Sequence, residues 1–158
     1  MEQGNIMPVD NILVPVHDNG CDDEALRLAG EIAKVSKATV HALYVIEVKR
    51  DLPLDAEITQ ETYKAEKVLH HLEQFGRYHL KCTVEATLLQ ARDVGPAVVQ
   101  EAMERGSELI VMQMPYKKRF GSFTLGDTIP YILKNAPCQV ILCRDAMISG
   151  TKSDSAHG

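Results

Sequence analysis

Apolar and polar residues follow two rhythms along this chain, and the rhythm switches from segment to segment. Residues 11 to 16 (NILVPV) form a short, nearly continuous apolar run bounded by polar residues, the pattern of a strand buried on both faces. After the turn-forming residues 18 to 21, Ala25, Leu26, Ala29, Ile32 and Ala33 recur at helical spacing, and Asp22 and Asp23 suit the positive end of a helix. Thr39 to Ile46, rich in β-branched and aromatic residues, reads as a second strand, and a charged connection from Glu47 to Glu57 carrying Pro53 follows. Thr59 is placed to cap a second helix with an apolar stripe of Ala65, Val68, Leu69, Leu72 and Phe75, ending near Gly76. A third strand spans Thr83 to Leu89. Asp93 then precedes Val94, Val98, Val99, Ala102 and Met103 on a third helix, with Pro96 in its first turn and Gly106 at its stop. Leu109 to Met112 reads as a fourth strand, Thr128 to Asn135 as a short fourth helix and Gln139 to Cys143 as a fifth strand.

Regular alternation of strand and helix predicts an α/β fold, a doubly wound five-stranded parallel sheet with helices on both faces, joined by right-handed crossovers. In such sheets ligands bind beyond the carboxyl ends of the strands, where strand order reverses. The loops after the first and fourth strands are therefore the places to look. A length of 158 residues fits one domain, and 45% hydrophobic with 25% charged residues sits near the average for soluble globular proteins. No apolar run approaches the roughly 20 residues needed to cross a bilayer, and the first ten residues lack a signal-peptide core, so a cytoplasmic location is expected. The net charge of −5 argues against a nucleic-acid partner bound by neutralising duplex phosphates. Cys21, Cys82, Cys138 and Cys143 contain no C-x-x-C pair, and Cys82 and Cys143 fall in strand-like runs, which favours structural thiols over metal or redox chemistry.

Several nucleotide and hydrolase chemistries are absent from the sequence. No G-x-G-x-x-G follows the first strand, no G-x-x-x-x-G-K-[ST] occurs, and no G-x-S-x-G elbow presents a nucleophile. His70 and His71 are neighbours on a helix and point about 100° apart, which prevents simple joint ligation of a metal. His41 and His79 lack a metal-binding context.

Residues 11 to 16, the run Glu108 to Met112, Gly126 leading into Tyr131 to Cys138, and Val140 to Leu142 together resemble the universal stress protein domain. The resemblance implies a domain over residues 10–145, leaving an N-terminal extension over 1–9 and a tail over 146–158 whose small, polar composition from Ser149 on is expected to make it flexible. It also implies an adenine nucleotide alpha hydrolase-like architecture, a homodimer pairing through the last strand (Gln139 to Cys143) and, in one branch of the family, ATP bound at the strand ends. That branch carries G-x2-G-x9-G-[S/T] after the fourth strand, whose glycines let backbone N–H groups approach the phosphates. Aligned on the last glycine, this chain has Gln113, Tyr116, Gly126 and Asp127 at those positions, so one of four matches. The family's acidic residue at the end of the first strand falls on His17, with Asp18 one place later.

These changes act in one direction. Side chains at 113 and 116 fill space where a phosphate would meet main chain, and Asp127 adds negative charge, worth about 4 kcal/mol of repulsion at about 4 Å in an effective dielectric near 20. Pro130 fixes the helix start near Asp127, so that Asp127 or Thr128 serves as N-cap and takes the N–H groups an anion would use. Against this stands Lys117-Lys118-Arg119, which could reach phosphates with side chains, while Tyr116 or Phe120 could stack on a base. His17 could hydrogen-bond a ligand or an adjacent backbone carbonyl. Met112 and Met114 read as adaptable packing. Leu52, Leu54 and Ile58 could cover the pocket or a partner surface.

The leading expectation is a non-catalytic regulatory domain in stress response, acting through dimerisation and small-ligand binding with a largely lost ATP motif. The rival is a nucleotide-binding member (ATP, AMP or a cyclic nucleotide), and a third reading is an interaction module of a transport system. On the rival reading, the resemblance implies, residue by residue, that Pro15, Val16, His17, Asp18 and Val45 line the base and ribose end. Gln113, Gly126, Asp127 and Thr128 then surround the phosphates, Met114 and Lys117 complete the candidate nucleotide-binding set, and an adenine nucleotide is the candidate cofactor. No metal site is expected.

Overall fold

A computed structural model describes residues 9–18, 20–116, 118–119, 122–123 and 126–147, the side chains of 118, 119, 122 and 123 excepted. The elements run β1 (Asn11–Val16), α1 (Asp22–Ser36), β2 (Thr39–Glu47), α2 (Thr59–Phe75), a π-helical turn (Gly76–Leu80), β3 (Val84–Ala91), α3 (Val94–Arg105), β4 (Leu109–Met114), β5 (Lys118–Arg119), β6 (Ser122–Phe123), α4 (Thr128–Asn135) and β7 (Gln139–Arg144). Five strands form one parallel sheet in the order β3-β2-β1-β4-β7, so the order reverses between β1 and β4. This is the expected doubly wound architecture.

Strand alternation divides the core between two faces. Ile12, Val14, Val16, Val40, Ala42 and Val111 pack against Ala25, Leu26, Ala29, Leu69 and Leu72 of α1 and α2. Leu13, Leu43, Val45, Ile110 and Met112 point the other way, onto Val98, Ala102 and Ile132 of α3 and α4. A strand buried on both faces must be apolar at successive positions, which is why NILVPV carries no polar alternation. Met103, counted in the stripe of the third helix, is 58% exposed and lies off the buried face.

Several boundaries differ from the sequence expectation. Thr59 is not a cap: Ile58 holds the N-cap position, without a side-chain cap bond, and Thr59 is the first helical residue. As expected, α2 ends beside Gly76, which is its C-cap, but Gly76 is itself helical (φ −61, ψ −45) and the chain continues through the π-helical turn. The stop falls at Lys81, in the left-handed region at φ 57. Glycine is needed at 76 for space, since a Cβ there would overlap Cγ2 of Val84. β3 begins at Val84, leaving Cys82 just outside it, and β4 runs on through Gln113 and Met114 because β7 pairs with it as far as Met114 to Arg144. The two-residue antiparallel pair β5 and β6 was not expected, being too short to show a periodic pattern. All four cysteines are free thiols.

Candidate functional site

At the reversal between β1 and β4, a cavity of about 300 Å³ opens at the carboxyl ends of the strands. Its walls are largely apolar: Val16 of β1, Leu43 and Val45 of β2, Met112 of β4, Val94 and Val98 of α3, and Ile129 and Ile132 of α4. Polar groups gather at His17, Gln113, Asp127 and Thr128. An apolar chamber with a few polar groups is the usual form of a small-molecule site, and about 300 Å³ lies at the lower end of the size range for such sites.

Of the residues expected at the site, Pro15, Val16, His17, Val45, Gln113, Gly126, Asp127 and Thr128 line this cavity. Asp18 does not. It adopts the left-handed conformation at φ 58, which turns it out of the cavity into a groove of about 730 Å³ between the start of α1 and α2. There it pairs with Lys64 at 3.4 Å. That groove is open and largely charged, and the His71–Asp23 contact at 3.0 Å is made by two of its lining residues. Met114 is buried on β4 and does not line the cavity. Lys117 lies outside the described residues, as do the side chains of Lys118, Arg119 and Phe120, so the basic-loop expectation falls outside the structure. Leu52 and Leu54 are exposed and do not line the cavity.

Two expectations about Asp127 are corrected. It holds the N-cap position of α4, but its backbone is helical (φ −104, ψ −32) and its side chain makes no cap hydrogen bond. A capping side chain needs extended backbone at that residue to turn back onto the helix N–H groups, and Asp127 lacks it. Thr128 is likewise the first helical residue and not the cap. The carboxylate therefore does not occupy the start of α4. Asp127 is also exposed, which places its charge in a dielectric closer to water, where repulsion at about 4 Å falls to about 1 kcal/mol.

The β1–α1 loop is held by a residue read only as a helix-end charge. The buried Asp22 carboxylate accepts hydrogen bonds from the backbone N–H groups of His17 (3.3 Å) and Asp18 (2.7 Å). Burial raises the pKa of this carboxyl, and the two N–H bonds work in the opposite direction. On the other side, the Gln113 amide donates from Nε2 to Oδ1 of Asp145 at 2.8 Å, and Cys21 Sγ lies 3.5 Å from Oδ2. The Tyr116 ring carries the Arg144 guanidinium 4.7 Å from its centroid. Among the described residues there is no cluster of three or more potential metal ligands.

The sequence did not single out Leu43, Val94, Val98, Ile129 and Ile132 as walls of the site. Leu43 stands two residues from Val45 on the same face of β2, and Val98 belongs to the apolar stripe of α3, so periodicity carried the signal for both. Only the crossing of helices over strands shows that these stripes leave a gap between them.

A family model described as Universal stress protein family matches residues 8–144. A curated universal stress protein of Methanocaldococcus jannaschii is 27% identical over 143 residues, covering 84% of this chain and 81% of the relative. The solved universal stress protein from Archaeoglobus fulgidus in complex with dAMP is similar at a TM-score of 0.65 and 19% identity, covering 86% of this chain and 98% of that one. A universal stress protein solved in complex with cAMP gives a TM-score of 0.69 at 17% identity, covering 89% and 100%. At these identities the solved structures speak to the fold.

Proposed function

The chain belongs to the universal stress protein family, and from that premise we propose that it is a non-catalytic regulatory domain whose cavity binds a compact adenine mononucleotide. The observation that carries this reading is the cavity itself, apolar in its walls and polar where His17, Gln113, Asp127 and Thr128 meet. A base and ribose suit the apolar chamber, and a single phosphate at the polar end lies near the start of α4, where N–H groups and the helix dipole favour an anion. Gly126, at φ 70, supplies the one left-handed turn of the expected phosphate motif. Among the described residues a triphosphate has no comparable bed, because Gln113 and Tyr116 stand where glycines would let main chain approach it. Relatives solved with dAMP and with cAMP carry one phosphate each, which supports the same ligand class.

Calorimetry tests the reading. AMP or cAMP is expected to bind, ATP to bind no tighter, and Asp127→Ser to strengthen AMP binding by about fivefold, the effect of about 1 kcal/mol of repulsion. Failure of every adenine nucleotide to bind either protein overturns it. Assembly belongs to the same proposal: β7 is the last strand of the sheet, and its outer edge offers backbone groups to a second copy. Sedimentation across the micromolar range is expected to show a dimer, and a monomer throughout removes that part.

A further inference from the structure

Asp145 follows β7 immediately and is held from several sides. Its backbone N–H donates to the Met114 carbonyl at 2.8 Å, continuing the pairing of β7 with β4 past the end of the strand. With the main chain fixed there, one carboxylate oxygen accepts the Gln113 amide at 2.8 Å and the other faces the Cys21 thiol at 3.5 Å. The residue thus joins the β1–α1 loop, the end of β4 and the end of β7 at one point. Gln113 lines the cavity, whereas Asp145 does not, so any influence Asp145 has on a ligand passes through that amide.

We propose that Asp145 is a specificity-determining positioning residue that, through Gln113, limits the site to a single phosphate. This inference rests on the mononucleotide reading. The glutamine amide carries donors on nitrogen and an acceptor oxygen, and a phosphate can be satisfied only by the donors. Asp145 takes one of the two amide N–H donors, and a hydrogen bond to a carboxylate is among the stronger ones available, so the amide is held in that orientation with a single N–H left over. A lengthening phosphate chain at this wall then meets a fixed side chain whose donor end is turned to Asp145. Asp127 adds a negative charge at the polar end. Each further phosphate brings oxygens that the fixed amide cannot satisfy, so the penalty set by Asp145 through Gln113 grows with chain length while base and ribose are unaffected.

The experiment measures AMP and ATP affinities by calorimetry for the full chain, Asp145→Asn, Gln113→Gly and the double variant. Asp145→Asn keeps the shape of the side chain and removes its charge, and circular dichroism with a melting curve establishes that each variant is folded. The ratio of ATP to AMP affinity is expected to rise by about fivefold in Asp145→Asn, and by much less when the same change is made in the Gln113→Gly background. A merely structural role would weaken both ligands together and leave the ratio unchanged. An unchanged ratio, or an equal rise with and without Gln113, overturns the role of Asp145 while leaving mononucleotide binding in place. Absence of AMP binding by the unmodified chain overturns the mononucleotide reading, and this inference with it.

Discussion

Asp22 shows how one side chain can serve two structures. As the first residue of α1 it lies at the positive end of a helix, and its carboxylate reaches back to the N–H groups of His17 and Asp18 on the cavity loop. Removing it leaves two loop donors without their acceptor in a partly buried setting. Asp22→Ala is expected to lower stability by about 1–3 kcal/mol, measured by urea unfolding, and to weaken any cavity ligand because His17 loses its anchor. Gly126 is the other position where one residue fixes the site. Among the described residues nothing within 4 Å would obstruct a Cβ there, and its φ of 70 is disfavoured for side-chain-bearing residues, so Gly126→Ala is expected to cost about 1 kcal/mol through backbone strain. Thermal unfolding would show that loss, and no change at all would contradict the assigned backbone conformation.

Elements in this protein end for reasons that single residues do not announce. Glycine near the end of a helical stripe usually signals a stop in the left-handed region, and α2 does end with Gly76 as its C-cap, but not in that conformation. Here the glycine lies within continuous helical backbone because the chain passes closely over Val84 of β3. Gly76→Ala is expected to destabilise by about 1–3 kcal/mol from overpacking, even though alanine is the better helix former. A stabilised Gly76→Ala variant, read from its unfolding midpoint, would mean that helix propensity and not close packing governs the position. Gly106 behaves as expected, with φ 65 just after α3, so the same residue type plays different parts according to what packs beside it.

For the whole molecule, a partly buried network around His41 ties stability to pH. His41 of β2 contacts Asn11 of β1 through Nε2 (3.3 Å) and Arg105 of α3 through Nδ1 (3.2 Å), and Arg105 continues to Thr87 of β3 (2.7 Å) and Glu101 (2.6 Å). Burial, then the Arg105 charge, lowers the His41 pKa from its ordinary 6.5, and Glu85 and Glu101 oppose the shift without reversing it. The folded imidazole is thus neutral in the window just below 6.5, with Nδ1 accepting from Arg105, while the unfolded chain takes up a proton there. The unfolded state binds more protons in that window, so this contribution is present above about pH 6.5 and is lost as pH falls through it. Urea unfolding between pH 8 and pH 5 is expected to show stability falling with pH less steeply in His41→Gln than in the unmodified chain. Equal slopes would remove His41 as the titrating group. Among the described residues, no helix is long and apolar enough to cross a membrane.

The order of strands and helices was legible in the sequence because it rests on local periodicity, and the period of a buried strand or a one-faced helix is written into consecutive residues. The family resemblance, rather than periodicity, pointed to Val16, Val45, Gly126 and Thr128, and strand-order reversal in a doubly wound sheet brings them to one cavity. Hydrogen bonds between distant residues were not legible, since nothing in sequence links Gln113 and Cys21 to Asp145, or His41 to Arg105. Nor was backbone conformation at single residues, which withdrew Asp127 from capping and turned Asp18 out of the site. Those outcomes depend on how packed elements position the chain between them, and tertiary structure alone decides that.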